Sequence, residues 1–256
     1  TSAGLTAPSK APNPVESLTS TGFRDAGRVS STWWRALTRI TAPLIPPSTL
    51  TIARVGAISF DAMGTLIELD PPAPHLARAL RIPLADAERA IAAEISYYRA
   101  HLDDGRDADT VADLRRRCAR VLADELSIDA DLTGVLLASL RFTVFADVMP
   151  ALARLRNAGS PLVVVSNWDA SLHEVLARLG LAPLLDAIVT SAEAGARKPD
   201  PAIFKAAGRP IERHVGDSVH EDVAGARAAG IKPVLIHRDG GAGPPGVTTI
   251  ASLAEL

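Results

Sequence analysis

Cys118 is the only cysteine among 256 residues. That excludes an intrachain disulfide and leaves the redox compartment open. No apolar run approaches the roughly 18 residues of a membrane-spanning helix. Neither sign of charge dominates: 27 basic side chains face 29 acidic ones, for a net charge of -2. A balance so close to zero argues against a nucleic-acid partner. Aromatic residues make up only 4%. Lysine is scarcer still, with Lys10, Lys198, Lys205 and Lys232 standing beside 23 arginines. What is present is an ordinary globular mixture, 47% apolar and 22% charged, in a chain long enough for one or two domains with a full core.

The chain is not uniform. Residues 1–50 contain 15 Ser/Thr and six Pro, and no periodic apolar pattern runs far. Such a segment buries too little surface to offset its ordering entropy and reads as a disordered extension, with one short helix at Thr32–Ile40. Its acid-poor, Arg- and Ser-containing composition also fits an organellar transit segment, against a plain cytoplasmic reading for the chain as a whole.

From Val55 the pattern changes. Val55–Phe60 is a short apolar run ending at Asp61, the signature of a buried strand. Residues 72–140 read as helices, with Ala85–His101, Asp109–Leu126 and Asp129–Leu140 the clearest. From Val148 onward strands and helices alternate. Leu162–Val165, Ala187–Val189, His214–Val215 and Pro233–Ile236 read as strands. Met149–Ala158, Ala170–Leu179, Pro201–Ala207 and Glu221–Ala229 read as helices. Such alternation predicts an α/β fold built on a doubly wound parallel sheet. The helical block interrupts it after the first strand.

Ligands of open α/β sheets bind beyond the carboxyl ends of the strands, and four polar clusters fall there. Phe60-Asp61-Ala62-Met63-Gly64-Thr65 places an acid on a tight turn, where a carboxylate can act as a covalent nucleophile. A strand-ending Asx turn would look the same. Ser166-Asn167-Trp168 offers a hydroxyl and an amide for an anionic oxygen, or simply a helix cap. Arg197-Lys198-Pro199-Asp200-Pro201 sets a rare lysine just before a helix that starts at a proline. Gly216-Asp217-Ser218-Val219-His220-Glu221-Asp222 puts two acids five apart across a strand-to-helix turn. Hard cations such as Mg²⁺ take oxygen ligands of that kind, although first-turn acids also answer the helix dipole.

The four clusters, in this order and at strand ends, resemble the haloacid dehalogenase-like (HAD) hydrolase superfamily over about residues 55–256. The resemblance implies a Rossmann-like core formed by residues 51–68 and 146–256, with a helical C1 cap of subfamily I at 69–145. It implies Asp61 as nucleophile and Lys198 as its partner. Ser166, Asn167 and Thr65 would serve the phosphoryl group and its loop. Mg²⁺ would be held by Asp61, the backbone carbonyl of Met63 and Asp217, with Asp222 either a further ligand or an acceptor behind the ligands. Three carboxylates plus a phosphate of about -1.5 to -2 would repel strongly, and one lysine with one Mg²⁺ offsets most of that charge. The implied activity is Mg²⁺-dependent hydrolysis of a small phosphorylated metabolite through an aspartyl-phosphate, by a monomer or homodimer with no nucleic-acid or membrane partner.

One position departs from the family pattern. HAD phosphatases usually carry a second Asp two residues after the nucleophile, as general acid and base. Here that residue is Met63, which transfers no protons. General acid–base catalysis is typically worth about 10²–10⁴-fold, so the usual mechanism is incomplete. A 2-haloacid dehalogenase also lacks that acid and needs none, since a halide leaves without a proton. That family uses no metal, however, and Asp217 points to one. A phosphonate hydrolase would need a cap lysine, and none stands between Leu66 and Pro150. A degenerate phospho-ligand binder would have no need of Asp61. In the cap, His101 is a candidate for the missing acid and Arg99 for a substrate anion. Tyr97 and Tyr98 read as packing residues, and Arg115-Arg116-Arg117 as a solvated face.

Overall fold

The structure is a computed structural model that describes residues 56–256. The readings made for residues 1–50 and for Val55 lie outside the described residues. Among the described residues eight strands form: β1 (Ala57–Phe60), β2 (Ile67–Asp70), β3 (Arg141–Val144), β4 (Leu162–Ser166), β5 (Ala187–Thr190), β6 (Ile211–Gly216), β7 (Lys232–Ile236) and β8 (Thr248–Ile250). Nine α-helices accompany them: α1 (Pro72–Leu80), α2 (Leu84–His101), α3 (Ala108–Leu126), α4 (Thr133–Ser139), α5 (Val148–Asn157), α6 (Leu172–Arg178), α7 (Ser191–Ala194), α8 (Ala202–Lys205) and α9 (Ala224–Ala228).

Six strands pair in parallel in the order β5-β4-β1-β6-β7-β8. Counted along the chain within the sheet this is 3-2-1-4-5-6, the Rossmann order, whose direction of winding reverses between β1 and β6. The strands are apolar because both faces are covered. On one face Phe60 and Val164 pack with Leu152 of α5 and Leu172 and Leu176 of α6. On the other, Val163 and Val165 pack with Ile203 and Phe204 of α8 and Ala226 of α9. Helices α1–α4 enclose a separate core around Leu76, Leu114, Leu122 and Leu136. No helix among the described residues is long and apolar enough to cross a membrane.

The α/β reading of the sequence is correct, and several local readings need correction. The antiparallel ribbon β2–β3, which leads into and out of the helical layer, was not anticipated. Its signal is the alternation Ile67-Glu68-Leu69-Asp70 and Arg141-Phe142-Thr143-Val144, too short to outweigh the helical pattern between them. The helix read at Asp129–Leu140 spans only Thr133–Ser139, because Asp131 Oδ1 accepts from the Thr133 amide at 2.9 Å and closes a turn. The helix read at Glu221–Ala229 begins instead as a π turn over Val219–Val223, where the amides of Asp222 and Val223 both donate to the Ser218 carbonyl.

Candidate active site

The winding reversal opens a crevice between β1 and β6, and the acids follow those two strands directly. Asp61 ends β1 and its amide donates to Val215 of β6 at 2.8 Å. Asp217 follows β6, and Asp222 sits in the π turn behind it. One carboxylate oxygen from each of the three lies within 4.8 Å of the others. Two glycines make this approach possible. A Cβ on Gly64, which has φ +73°, would stand 2.1 Å from Asp217 Oδ2, and one on Gly216 would stand 2.1 Å from Asp222 Cγ. Any side chain at either place would push a carboxylate out of the cluster.

Lys198 is 1% exposed and lies between two of the acids. Its Nζ donates to Asp61 Oδ1 at 2.6 Å and to Asp222 Oδ1 at 2.5 Å. Its backbone is fixed by Asn167, whose Oδ1 accepts from the Lys198 amide at 2.7 Å and whose Nδ2 donates to the Lys198 carbonyl at 3.0 Å. That leaves one N–H of the Asn167 amide for a ligand. Ser166, buried at the end of β4, favours the ionised form of Asp61 slightly.

Asp222 accepts from three protein donors. Besides Lys198, its Oδ1 accepts from His214 Nε2 at 3.0 Å, and its Oδ2 accepts from the Ser218 amide at 2.9 Å. His214 in turn faces the Ser59 hydroxyl through Nδ1 at 2.8 Å. His214 and Ser59 are both fully buried, and sequence reasoning missed them because an alternating strand gives no sign of which inward polar residues meet.

Burial and charge set the ionisation here. Desolvation raises the Asp61 carboxyl and repulsion from Asp222 adds to it, while Lys198 opposes both. Desolvation also works on Asp222, yet Lys198 and His214 together hold it below the usual carboxylate range. His214 is lowered, chiefly by burial, so its imidazole stays neutral. Asp217 is the exposed member of the three, and its carboxyl is pushed up to about 7 by partial desolvation and by the neighbouring Asp61 and Asp222. With all three carboxylates ionised, the single ammonium would leave two excess negative charges, and the raised Asp217 and Asp61 carboxyls register that repulsion.

That excess is what a divalent cation would relieve, so the residues fit Mg²⁺. The Met63 carbonyl fits as well, since no protein donor is bonded to it among the described residues. Thr65 is different. It is fully buried, its hydroxyl has no protein partner, and it does not line the cavity over the acids.

A third residue absent from the sequence reading holds the Asp61 loop. Arg238 follows β7, donates to the carbonyls of Gly64 and Thr65, pairs with Asp147 at 3.0 Å and lies over the Phe145 ring. Asp147 also accepts from Ser252 and Leu253. Arg238→Met should lower stability by about 1–3 kcal/mol, or roughly 2–12 °C in Tm, and slow turnover by loosening the loop. Desolvation opposes ionisation of Asp147, but its hydrogen bonds and Arg238 hold its carboxyl below the usual range. That contribution is present above the ordinary Asp pKa and fades as pH falls through the lowered one. The Tm gap between parent and variant should therefore narrow in acid, and a gap that is constant with pH would separate Arg238 from Asp147.

A cavity of about 920 Å³ extends from Asp61, Met63 and Asp217 to the faces of α2, α3 and α4. Arg99 and Tyr98 line it, and Trp168 does too, packed on Phe142 at 5.5 Å. His101 does not. Its Nδ1 donates to the Tyr97 carbonyl at 2.8 Å and its ring stacks on Tyr97, so the structure gives no support to His101 as the missing acid. Arg115 pairs with Glu174 at 3.4 Å, while Arg116 and Arg117 pair with acids of their own surface. Burial pushes the Cys118 thiol up to about 12, which makes it unreactive.

Comparison with known proteins follows the same lines. A family model described as haloacid dehalogenase-like hydrolase matches residues 55–230. "Haloacid dehalogenase-like hydrolase domain-containing protein 3" of Bos taurus is 40% identical over 87 residues, covering 32% of this chain and 35% of that protein. Glyceraldehyde 3-phosphate phosphatase of Methanopyrus kandleri is 39% identical over 101 residues, covering 37% and 43%. The chain thus spans well under half of either relative. Among solved structures, a HAD phosphatase from Thermococcus onnurineus superposes with a TM-score of 0.55 at 26% identity, over 78% of this chain and 95% of that one. A 2-haloacid dehalogenase from Pseudomonas syringae superposes with a TM-score of 0.54 at 25% identity, over 78% and 96%. Backbone likeness therefore does not separate the two chemistries.

Proposed function

The chain belongs to the haloacid dehalogenase-like hydrolases, and within that family we propose that it is a Mg²⁺-dependent phosphatase acting on a small phosphorylated molecule. One observation carries the choice over a dehalogenase. Asp217 adds a third carboxylate to the pair that Lys198 bridges, so that with all three ionised two negative charges stand in excess, which a divalent cation answers. A halide-displacing site has no use for that excess.

In this reading residues 69–145 form a cap inserted in a core of residues 51–68 and 146–256. Asp61, Asp217 and the Met63 carbonyl would hold the metal, which when bound would offset the negative charge of the phosphoryl oxygens. Asp222, with its oxygens occupied by protein donors, keeps Lys198 in place. The Asp61 carboxylate attacks phosphorus, its O–P bond forms, and the ester oxygen leaves with the electron pair of the bond that breaks. Lys198, Ser166 and the remaining Asn167 N–H steady the transferred group. Water then adds to phosphorus, the Asp61–phosphorus bond breaks, and the carboxylate is restored.

The test sets p-nitrophenyl phosphate against 2-chloropropionate, each with Mg²⁺ and with excess chelator. Phosphate release that needs Mg²⁺ is expected. Chloride release in chelator would overturn the reading. Mg²⁺ at 100 times its Kd should also raise stability by about 2.7 kcal/mol through binding to the folded state alone. Asp217→Asn should abolish that rise, and a rise that persists in it would move the metal elsewhere.

A further inference from the structure

The cavity over the acids is much larger than a phosphoryl group needs. At about 920 Å³ it lies near the top of the roughly 300–1,000 Å³ range of sites for drug-sized ligands. One side of its wall is apolar, while charged side chains line much of the rest. Seven Phe, Tyr and Trp residues stand among the described residues, and three of them, Tyr98, Phe142 and Trp168, line this one cavity. Leu136 and Leu137 extend the wall, and Leu137 is 38% exposed. The arginines do not make it a polyanion site. Arg115 and Arg197 are paired with Glu174 and Asp103, and Glu68, Glu94, Asp169 and Glu221 line the same cavity against Arg99 and Arg178.

A second observation comes from the reacting end. Met63 lines the cavity beside Asp61 with a thioether, which has no proton to give a leaving oxygen. Without a donor, the bond breaks most readily to an oxygen that departs as a stabilised anion. A phenolic oxygen is one, because its charge spreads into the ring.

We propose that the cavity recognises a phosphomonoester of a phenol, with a flat apolar ring system lying between the Trp168–Phe142 pair and the leucines of α4. This rests on the phosphatase reading and adds the class of substrate. The aromatic faces stack on the ring, the aliphatic wall removes it from water, and the aryl oxide leaves unprotonated.

The test separates recognition from leaving-group chemistry. Phenyl and 1-naphthyl phosphate release alcohols of similar acidity but differ by one fused ring. KM should fall by about tenfold from the first to the second, from the added apolar area. In parallel, Asp61→Asn protein with Mg²⁺ is titrated by calorimetry with methyl-, phenyl- and naphthylphosphonate, which cannot be turned over. Affinity should rise along that series, and Leu137→Asp should flatten it. Equal affinity for all three phosphonates, alongside hydrolysis of p-nitrophenyl phosphate, would overturn the substrate class and leave the phosphatase reading intact. A rising series with no hydrolysis of any ester would do the reverse. A preference for phosphoserine or glyceraldehyde 3-phosphate over naphthyl phosphate would also overturn the proposal.

Discussion

Asp61→Asn is expected to lose turnover by about 10⁴-fold or more, the scale set by removing the nucleophile of a covalent mechanism, while the protein stays folded. The fold side of this prediction follows from the charges. Burial raises the Asp61 carboxyl more than Lys198 lowers it, so the ionised form is on balance penalised in the folded protein. At neutral pH the carboxylate is ionised when unfolded, and folding works against that charge. A neutral amide removes the penalty and fills nearly the same volume. Lys198 keeps Asp222 as a partner at 2.5 Å, so the ammonium is not left buried and unpaired. The metal-free variant should therefore melt at the parent temperature or slightly above it. Phosphate release, measured with Mg²⁺ at saturating ester, reads the first half of the prediction, and a metal-free thermal melt reads the second. Near-normal turnover would remove Asp61 from the chemistry. A melting temperature many degrees lower would make the Asp61–Lys198 pair structural.

Much of this arrangement is legible in the sequence, for a physical reason. Strand ends are marked by an apolar run that stops at a polar residue. Asp61, Ser166 and Asp217 all stand at or just past such an end. The parallel topology then brings consecutive strand ends together without further information. Lys198 is legible because lysine is rare and because it precedes Asp200 and Pro201 at a helix start. The supporting residues are not legible in this way. His214 is one inward position in a strand, and only the register that sets Ser59 opposite His214 shows that they meet. Arg238 reaches the Asp61 loop from 173 residues away, a closure that no local pattern encodes. His101 illustrates the opposite error. Its chemistry suits a proton donor, but a ring at a helix end readily bonds the carbonyl one turn back, and here it does.

The position of Met63 leads to the second large expected effect. If no side chain protonates the leaving oxygen, the rate of the chemical step should depend steeply on the basicity of that oxygen. Aryl and acyl phosphates should react far faster than alkyl or sugar phosphates, by a margin on the order of the 10²–10⁴-fold that a general acid supplies. The measurement is log kcat/KM against leaving-group pKa for a series of substituted phenyl phosphates, whose rings fill the cavity nearly alike. Met63→Asp should then help the poorest leaving groups most, by up to about 10²-fold, and flatten the line. A flat line in the parent, with chemistry rate-limiting, would mean that an acid in the cavity already gives the proton. The structure nominates Glu94 for that role. It lines the cavity at 4% exposure, and burial raises its carboxyl toward the protonated form. Glu94→Gln keeps the shape of the side chain and removes the proton, so in that case it should create the steep dependence the parent lacks. If the parent is already steep, Glu94→Gln should leave the slope unchanged and alter only KM, because Glu94 then acts as a wall of the cavity and not as an acid.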